Sequence, residues 1–344
     1  MSANTRIDTS PKALSWLLEP DPANPGVRCF TLVDLLDYPR DHPEVIAARQ
    51  DVMASGPVPA ILAAQAPEGY WVEPGTGYFG KYRSTVWSII FLPQLGAHAS
   101  DPRVRAGCDY VLDNSRCAYG GFSVDGRNSG LIHCLEGNLV AALIDLGWWG
   151  DPRLAEAVDW LARSITGEGI APADNKDAPL RYYRSCNSAP GFVCAANNYK
   201  PCAWGAVKAV LALGKLPREA VTPAIQSAIQ AGVDFLLSRD PAQADYPTPF
   251  DTKPNRSWFQ SGYPLAYVTD VLQNLEALAA LGYGSDPRLQ PAVDWLSSKQ
   301  DAQGRWLMEY TYNGKTWVDI EQKGQPSKWV TLRALRVLKR SSSA

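Results

Sequence analysis

The sequence has few of the features that mark membrane, secreted or nucleic-acid-binding proteins. No uninterrupted apolar run reaches the ~18 residues that a transmembrane helix needs. Lys and Arg number 33 and Asp and Glu 35, so no basic face for nucleic acid is indicated. The first residues lack a basic stretch followed by an apolar one, so they do not read as a signal peptide. We therefore expect a cytoplasmic protein without a transmembrane segment or a nucleic-acid partner.

Cysteine and histidine are also scarce, with seven and three residues respectively. An odd number of cysteines cannot all pair with one another within the chain, and cytoplasmic thiols stay reduced. Where cysteines cluster, a metal site is therefore favoured over disulfides.

Aromatic residues are abundant by contrast, with twelve Trp and fifteen Tyr. Aromatics this dense either pack between helices or line a large apolar cavity. The candidates for a cavity wall that binds substrate are Trp87, Trp204, Tyr263, Tyr267 and Trp329. Core packing is the alternative for each of them.

Four segments share one pattern, beginning at Ser84, Gly137, Gly205 and Tyr267. Each has an apolar helical run that ends in Leu-Gly, a short turn and a second, amphipathic helix. Three of the turns contain Asp-Pro-Arg, in which Asp suits the N-cap and Pro the first helical position. The first helix is apolar nearly all round, which is typical of a helix buried on most sides. Each segment therefore predicts an antiparallel hairpin of an inner and an outer helix.

Repeated hairpins of this kind form a closed ring or an open solenoid. A partial outer helix from Val58 and a partial inner helix from Ser327 can pair and close a ring. The polar capping repeats that a solenoid needs are missing. We expect an all-α, single-domain α/α toroid (α/α barrel) of five to six helical hairpins over residues 31–344, after an N-terminal extension over residues 1–30.

Two stretches, "QAPEGYW" from Gln65 and "KQDAQGRW" from Lys299, read Q-x3-G-x-W after an outer helix. This resembles the QW motif of the squalene/hopene cyclase and protein prenyltransferase superfamily. The resemblance implies inner helices around a deep apolar cavity, and a bond network that ties an outer helix end to the next turn. Its closest likeness is to bacterial proteins with prenyltransferase and squalene-cyclase repeats.

The catalytic motifs of that superfamily are missing from the sequence. It contains no D-x-D-D, no D-D-x-x-D and no D-x-C. The resemblance therefore implies the fold, and function must be argued from the site.

Aligning the second and third repeats places Cys134 on Cys202, at the start of two adjacent inner helices. Cys186 and Cys194 lie in the loop that leads into the second of these helices. We therefore expect the four sulfurs to converge at one mouth of the cavity and to hold zinc, with an iron–sulfur cluster as the alternative metal group. Free thiols are the competing interpretation.

Three residues are candidates for acid or base catalysis: Asp270, His133 and Glu136. Asp270 interrupts an apolar stretch that predicts an inner helix, and burial there would raise the pKa of its carboxyl and make it a usable acid. His133 and Glu136 flank the first cysteine of the cluster. A structural hydrogen bond, a cap or a loop position is the alternative for each.

The leading hypothesis is an enzyme that acts on a hydrophobic or aromatic, terpenoid-like small molecule in the cavity, with thiolate-bound zinc as Lewis acid or water activator. One alternative is a metal-free terpenoid cyclase or isomerase with Asp270 as the acid. The other is a binding protein with a structural four-cysteine zinc site. A homodimer is left open as the assembly.

Overall fold

The chain folds as an all-α toroid, seen in a computed structural model that describes residues 11–170, 176–177 and 187–342. Six inner helices follow one another around a ring: α2 (Pro25–Phe30), α5 (Thr85–Gln94), α7 (His133–Asp145), α9 (Ala203–Leu213), α11 (Val271–Leu278) and α13 (Lys328–Ser342). From α5 to α13 each inner helix packs on the next, and α13 packs back on α2. The ring closes between α2 and α5, where Gly26 lies so near the Leu95 carbonyl that a side chain would clash.

Seven shorter or amphipathic helices surround the ring: α1 (Pro11–Leu18), α3 (Pro43–Ala54), α4 (Pro57–Ala63), α6 (Pro102–Asn114), α8 (Pro152–Thr166), α10 (Pro223–Leu237) and α12 (Gln290–Ser298). In α8 the buried positions include Leu154, Val158, Leu161 and Ile165, the three-to-four spacing of one apolar stripe. In α7 every residue from 133 to 140 is buried, as expected of a helix enclosed on most sides. The predicted order of inner and outer helices is confirmed.

Within the described residues, five strands of two residues each lie in the loops. β1 (Ser188–Ala189), β2 (Val193–Cys194) and β3 (Lys200–Pro201) form one antiparallel sheet before α9. Within it Cys194 stands opposite Ser188 and Lys200. The second sheet joins β4 (Trp306–Leu307) to β5 (Pro326–Ser327) before α13. These sheets fix the entry of the chain into two inner helices.

The Asp-Pro-Arg turns at Asp101 and Asp151 cap their outer helices as the sequence predicts, and the one at Asp286 caps the short 3-10 turn that leads into α12. Asp101, Asp151 and Asp286 each accept a hydrogen bond from the backbone N–H two residues later, at 2.8, 2.8 and 2.9 Å. This satisfies one of the N–H groups that a helix start leaves free.

The two Q-x3-G-x-W stretches share one geometry. The Trp71 indole N–H donates to the Ile61 carbonyl at the end of α4 (2.8 Å). Its backbone N–H donates to the Thr85 hydroxyl at the start of α5 (3.0 Å). Trp306 makes both bonds at the same distances, with the carbonyl ten residues before it and a threonine of α13. Each tryptophan thus joins an outer helix end to the next inner helix.

The prediction that Asp270 lies inside an inner helix is wrong, because the residue is the N-cap of α11. The backbone of the stretch before it makes hydrogen bonds to other parts of the chain instead of the bonds within the segment that a helix requires. The Tyr263 N–H donates to the Tyr310 carbonyl, and the Leu265 N–H donates to the Gln94 side chain. Asp270 then accepts from the Gln273 N–H at 2.6 Å, so the helix begins after it.

Ring closure differs in detail from the prediction. The segment from Val58 lies in α4, which packs on α3 and α5, while α13 packs on α1 and α2. The boundary at residue 30 stays a prediction, although α1 and α2 contact the last inner helix. Among the described residues, no helix combines the length and the apolar character that a membrane span requires.

Candidate functional site

A cavity of about 470 Å³ lies inside the ring, at the C-terminal ends of the inner helices. Its apolar wall includes Phe30, Val33, Ile90, Leu211 and Leu265. On α7 the lining residues Asn138, Ala141, Ala142 and Asp145 follow helical spacing, so one stripe of that helix faces the axis. A cavity of this size accommodates a small organic molecule.

Charged residues surround the mouth of the cavity. Three of its cations are paired with lining acids: Lys215 with Asp145 (2.8 Å), Arg333 with Glu276 (2.7 Å) and Arg336 with Asp34. Arg40, Arg49 and Arg340 also line it and have no ion-pair partner within residues 11–170, 176–177 and 187–342. The mouth therefore carries excess positive charge, which favours an anionic group.

Three of the four predicted cysteines meet at the opposite, N-terminal end of the inner helices. Cys134 is the second residue of α7, Cys202 is the N-cap of α9, and Cys194 is on β2. The Cys202 thiol interacts with the thiols of both Cys134 and Cys194. Cys186 lies outside the described residues.

Contacts within the thiol cluster, together with burial, raise the pKa values of Cys194 and Cys202. Contact with Cys134, together with burial, raises the pKa of Cys202 to about 12. Contact with Cys202, followed by burial, raises the pKa of Cys194 as well. The backbone N–H groups of Ala196 and Asn197 oppose this at Cys194, and that of Gly205 does so at Cys202.

The donor set suits a thiophilic metal, since soft sulfur ligands with N–H donors around them are typical of zinc–thiolate sites. The described part of the chain nevertheless contains no group of three or more His, Cys, Asp or Glu side chains already arranged to hold a metal ion. Zinc therefore stays a prediction.

Lys208 lies between the thiols and the cavity, on the inward stripe of α9. Its ammonium group is buried and donates to Gln273 Oε1 (2.7 Å) and to the Thr269 hydroxyl. Burial lowers its pKa to about 8, although Cys134, Asp270 and Cys202 act in the opposite direction. Because Gln273 also lines the cavity, only the Gln273 side chain separates the Lys208 amine from the cavity at this point.

Of the three predicted catalytic residues, His133 and Glu136 lie one turn apart on α7 and both face α8, whereas Asp270 lies at the start of α11. His133 faces outward, with Nε2 3.0 Å from the Ser164 hydroxyl of α8, and burial lowers its pKa to about 4. Glu136 is fully buried, faces Trp160 of the outer ring, and has its pKa raised well above the ordinary value by burial. The Asp270 carboxylate accepts from Arg333 and from the Gly262 and Gln273 N–H groups. None of the three lines the 470 Å³ cavity.

The five predicted aromatic residues also separate. Tyr263 lines the cavity and stacks on Trp329, with ring centroids 4.4 Å apart. The Trp329 indole N–H donates to Asn24 Oδ1, which ties α13 to the chain before α2. Trp87 and Tyr267 belong to a cluster at the other end of the ring, with centroids 5.0 Å apart. Trp204 is half-buried at the start of α9.

The cationic mouth of the cavity was not predicted from the sequence. One signal was available: Arg333, Arg336 and Arg340 recur at intervals of three and four on the last inner helix. Charges on the inward stripe of a ring helix point to the axis. Arg40 and Arg49 carry no such signal, because they come from a loop and an outer helix.

Comparisons with known proteins place the chain near no established family. No protein-family model matches it, and no curated protein gives a significant match. Among solved structures, a protein from Actinoplanes is 13% identical over 83% of this chain and 97% of its own, with a TM-score of 0.31. The type II terpene cyclase MstE from Scytonema is 12% identical over 85% of this chain and 97% of its own, with a TM-score of 0.30. A variant of that cyclase, in complex with geranylgeranyl dihydroxybenzoate, is 12% identical over 86% of this chain and 97% of its own, with a TM-score of 0.31. Identities and TM-scores this low assign the chain to no family.

Proposed function

We propose that this protein is an enzyme that binds a hydrophobic, terpenoid-like small molecule with an anionic group in the ring cavity. The observation that carries the proposal is the cavity of about 470 Å³, which combines an apolar wall with the guanidinium groups of Arg40, Arg49 and Arg340, for which the described residues offer no ion-pair partner. The apolar body of the molecule lies against Phe30, Ile90 and Leu211. Its anionic group lies at the mouth, where the arginines offer charge-assisted hydrogen bonds.

We propose that the chemistry takes place at the thiol cluster of Cys134, Cys194 and Cys202, next to Lys208. Cys134 lies one helical turn from the cavity-lining Asn138. Cys134, Cys186, Cys194 and Cys202 would hold the zinc ion, which would supply a Lewis acid or an activated water. Lys208 places a polar amine, held by Gln273, at the inner end of the bound molecule.

Two alternatives stay predictions. In the metal-free cyclase, Asp270 donates the proton; in the structure its carboxylate accepts hydrogen bonds from the Arg333 guanidinium and from the backbone N–H groups of Gly262 and Gln273. In the non-catalytic binding protein, four thiolates close the zinc site. A zinc shell with no exchangeable water would support the binding protein over the enzyme.

The binding proposal is tested with a fluorescent hydrophobic anion, 1-anilinonaphthalene-8-sulfonate. Ala141→Phe fills part of the cavity, so we expect it to weaken binding of this anion at least about tenfold, the effect of losing ~1.4 kcal/mol. Ala155→Phe is the matched control, because it makes the same substitution at an exposed position of α8. Circular dichroism spectra of both variants are compared with that of the wild type to check that the variants fold. Equal affinity of Ala141→Phe and wild type would refute cavity binding.

The metal half of the proposal is tested separately, by elemental analysis of the purified protein. We expect stoichiometric zinc in the wild type and its loss in Cys202→Ser, the position that contacts both other thiols. Cys108→Ser, a buried thiol in α6 away from the cluster, is expected to keep the metal. Wild-type protein without zinc, purified in the absence of chelators, would end the zinc proposal and leave cavity binding standing.

A further inference from the structure

Three aromatic rings surround one ammonium group at the N-terminal end of the ring of helices. Tyr78, Trp87 and Tyr267, here called the aromatic cage, have centroids 5.0 to 6.2 Å apart and are inclined to one another by 46 to 89°. Lys81 Nζ lies 4.8, 5.6 and 5.0 Å from their respective centroids. Three faces at this range form a site for a cation.

The rings are held in place independently of Lys81. The Trp87 indole N–H donates to the Tyr78 carbonyl (2.9 Å), and the Tyr267 hydroxyl donates to the Tyr78 hydroxyl (2.9 Å). Trp87 is fully buried on α5, whereas Lys81 is exposed. The cage is therefore pre-organised, while its lysine can leave it for water at little cost.

Lys81 has no ion-pair partner in the described part of the chain, so ring faces are what hold its ammonium group there. Such contacts are weak at exposed sites. Ring faces attract cations and repel anions. A quaternary ammonium group gains the same attraction as Lys81 and has no N–H donors that must find acceptors inside the cage.

We propose that the aromatic cage is a binding site for a small organic ammonium group, preferably quaternary, and that Lys81 is an intramolecular occupant that the ligand displaces. The site is distinct from the cavity, which lies at the opposite ends of the same helices and favours anions. It does not depend on the enzyme proposal.

The test measures binding of tetramethylammonium chloride by isothermal titration calorimetry. Removing the competing amine in Lys81→Ala is expected to tighten binding about fivefold, the effect of a contact of ~1 kcal/mol. Lys323→Ala, which removes an exposed lysine outside the cage, is the matched control and is expected to leave the affinity unchanged. Choline is expected to bind, and its neutral isostere 3,3-dimethyl-1-butanol is not.

The contribution of the rings is tested in the Lys81→Ala background. Tyr267→Phe keeps the ring face and is expected to keep binding, whereas Tyr267→Leu removes one wall and is expected to weaken it several-fold. In wild-type protein, ring currents are expected to shift the Lys81 ε-methylene NMR signal upfield, a readout that needs no variant. The proposal is overturned if Lys81→Ala binds no tighter than wild type, if the neutral isostere binds equally well, or if the methylene signal is unshifted.

Discussion

At the scale of single residues, Glu136 has the most unusual environment in the described part of the chain. It is fully buried on α7, and neither carboxyl oxygen has a hydrogen-bond partner. Burial raises its pKa well above the ordinary 4.5, and only the facing Trp160 side chain acts in the other direction. Burial in such a place favours the neutral carboxyl, because ionising it there would cost far more than in water.

This environment predicts a pH-dependent cost in stability. The folded state binds this proton more tightly than the unfolded state, because the pKa of Glu136 is higher in the folded state. The free energy of unfolding is therefore highest below pH 4.5 and falls as the pH rises towards the folded-state pKa. Glu136→Gln removes this dependence. We expect the variant to gain on wild type by up to about 1.4 kcal/mol per pH unit above pH 4.5, measured by urea denaturation from pH 4 to 8. Glu68→Gln, at an exposed position, controls for the loss of one carboxylate. A difference that does not change with pH would contradict the assignment.

Single residues are also where the sequence was least informative about the site. The Asp-Pro-Arg aspartates act within their own turns, so spacing alone predicts these caps. Whether Glu136 or His133 points to the axis or to the outer ring depends on the rotation of α7 about its own axis. Several neighbouring helices fix that rotation together.

At the scale of elements, α7 and α9 approach each other closely in the ring. Gly137 lies where an added Cβ would meet the backbone of Lys208 and Ala209 at 2.5 to 2.7 Å. Gly205, its counterpart in the repeat alignment, has more room: a Cβ there would meet only His133 Cβ at 3.3 Å and Cys134 Sγ at 3.8 Å. The same residue in the same place of two repeats thus serves close packing in one and is less constrained in the other.

The pair of glycines gives a matched prediction. Alanine is the better helix former by roughly 1 kcal/mol, but at Gly137 it forces two backbones apart. We expect Gly137→Ala to destabilise the fold by about 1–3 kcal/mol, the usual cost of overpacking. Gly205→Ala, with the same gain in helix propensity, is expected to be near neutral or stabilising. Urea denaturation measures both; equal effects would show that this approach does not limit the packing of α7 on α9.

At the scale of the whole molecule, the ring depends on contacts between residues far apart in sequence. Arg333 is buried on α13 and joins Asp270 (3.1 Å) and Glu276 (2.7 Å) at the two ends of α11, and it also donates to the Gly262 carbonyl (2.6 Å). It therefore connects the last two inner helices with the loop that precedes α11. Without the guanidinium, two carboxylates would face a buried region unpaired.

Removing that guanidinium is expected to weaken the whole fold. Arg333→Met should lower the free energy of unfolding by about 3–5 kcal/mol, the usual cost of breaking a buried ion pair from one side. Arg103→Met removes a surface pair with Asp101 and should cost less than about 1 kcal/mol. Urea denaturation is expected to show one transition for both variants. Equal stability of the two would mean that Arg333 does not contribute to ring closure.

The sequence by itself determined the order of helices, their caps and the adjacency of two thiols. Periodicity, Leu-Gly ends and Asp-Pro-Arg turns act within a few residues, so they can be read along the chain. Cys134 and Cys202 could be placed together because the repeats align and neighbouring inner helices start at the same end.

Only the tertiary structure decided where the cavity lies and which groups face it. The cavity forms where the inward stripes of six helices leave space, and no single segment specifies that volume. The cationic mouth brings a loop residue, Arg40, beside Arg340 of the last helix. The aromatic cage joins Tyr78 to Tyr267 across 189 residues of sequence. Such proximity follows from ring closure, which depends on the packing of all the helices together.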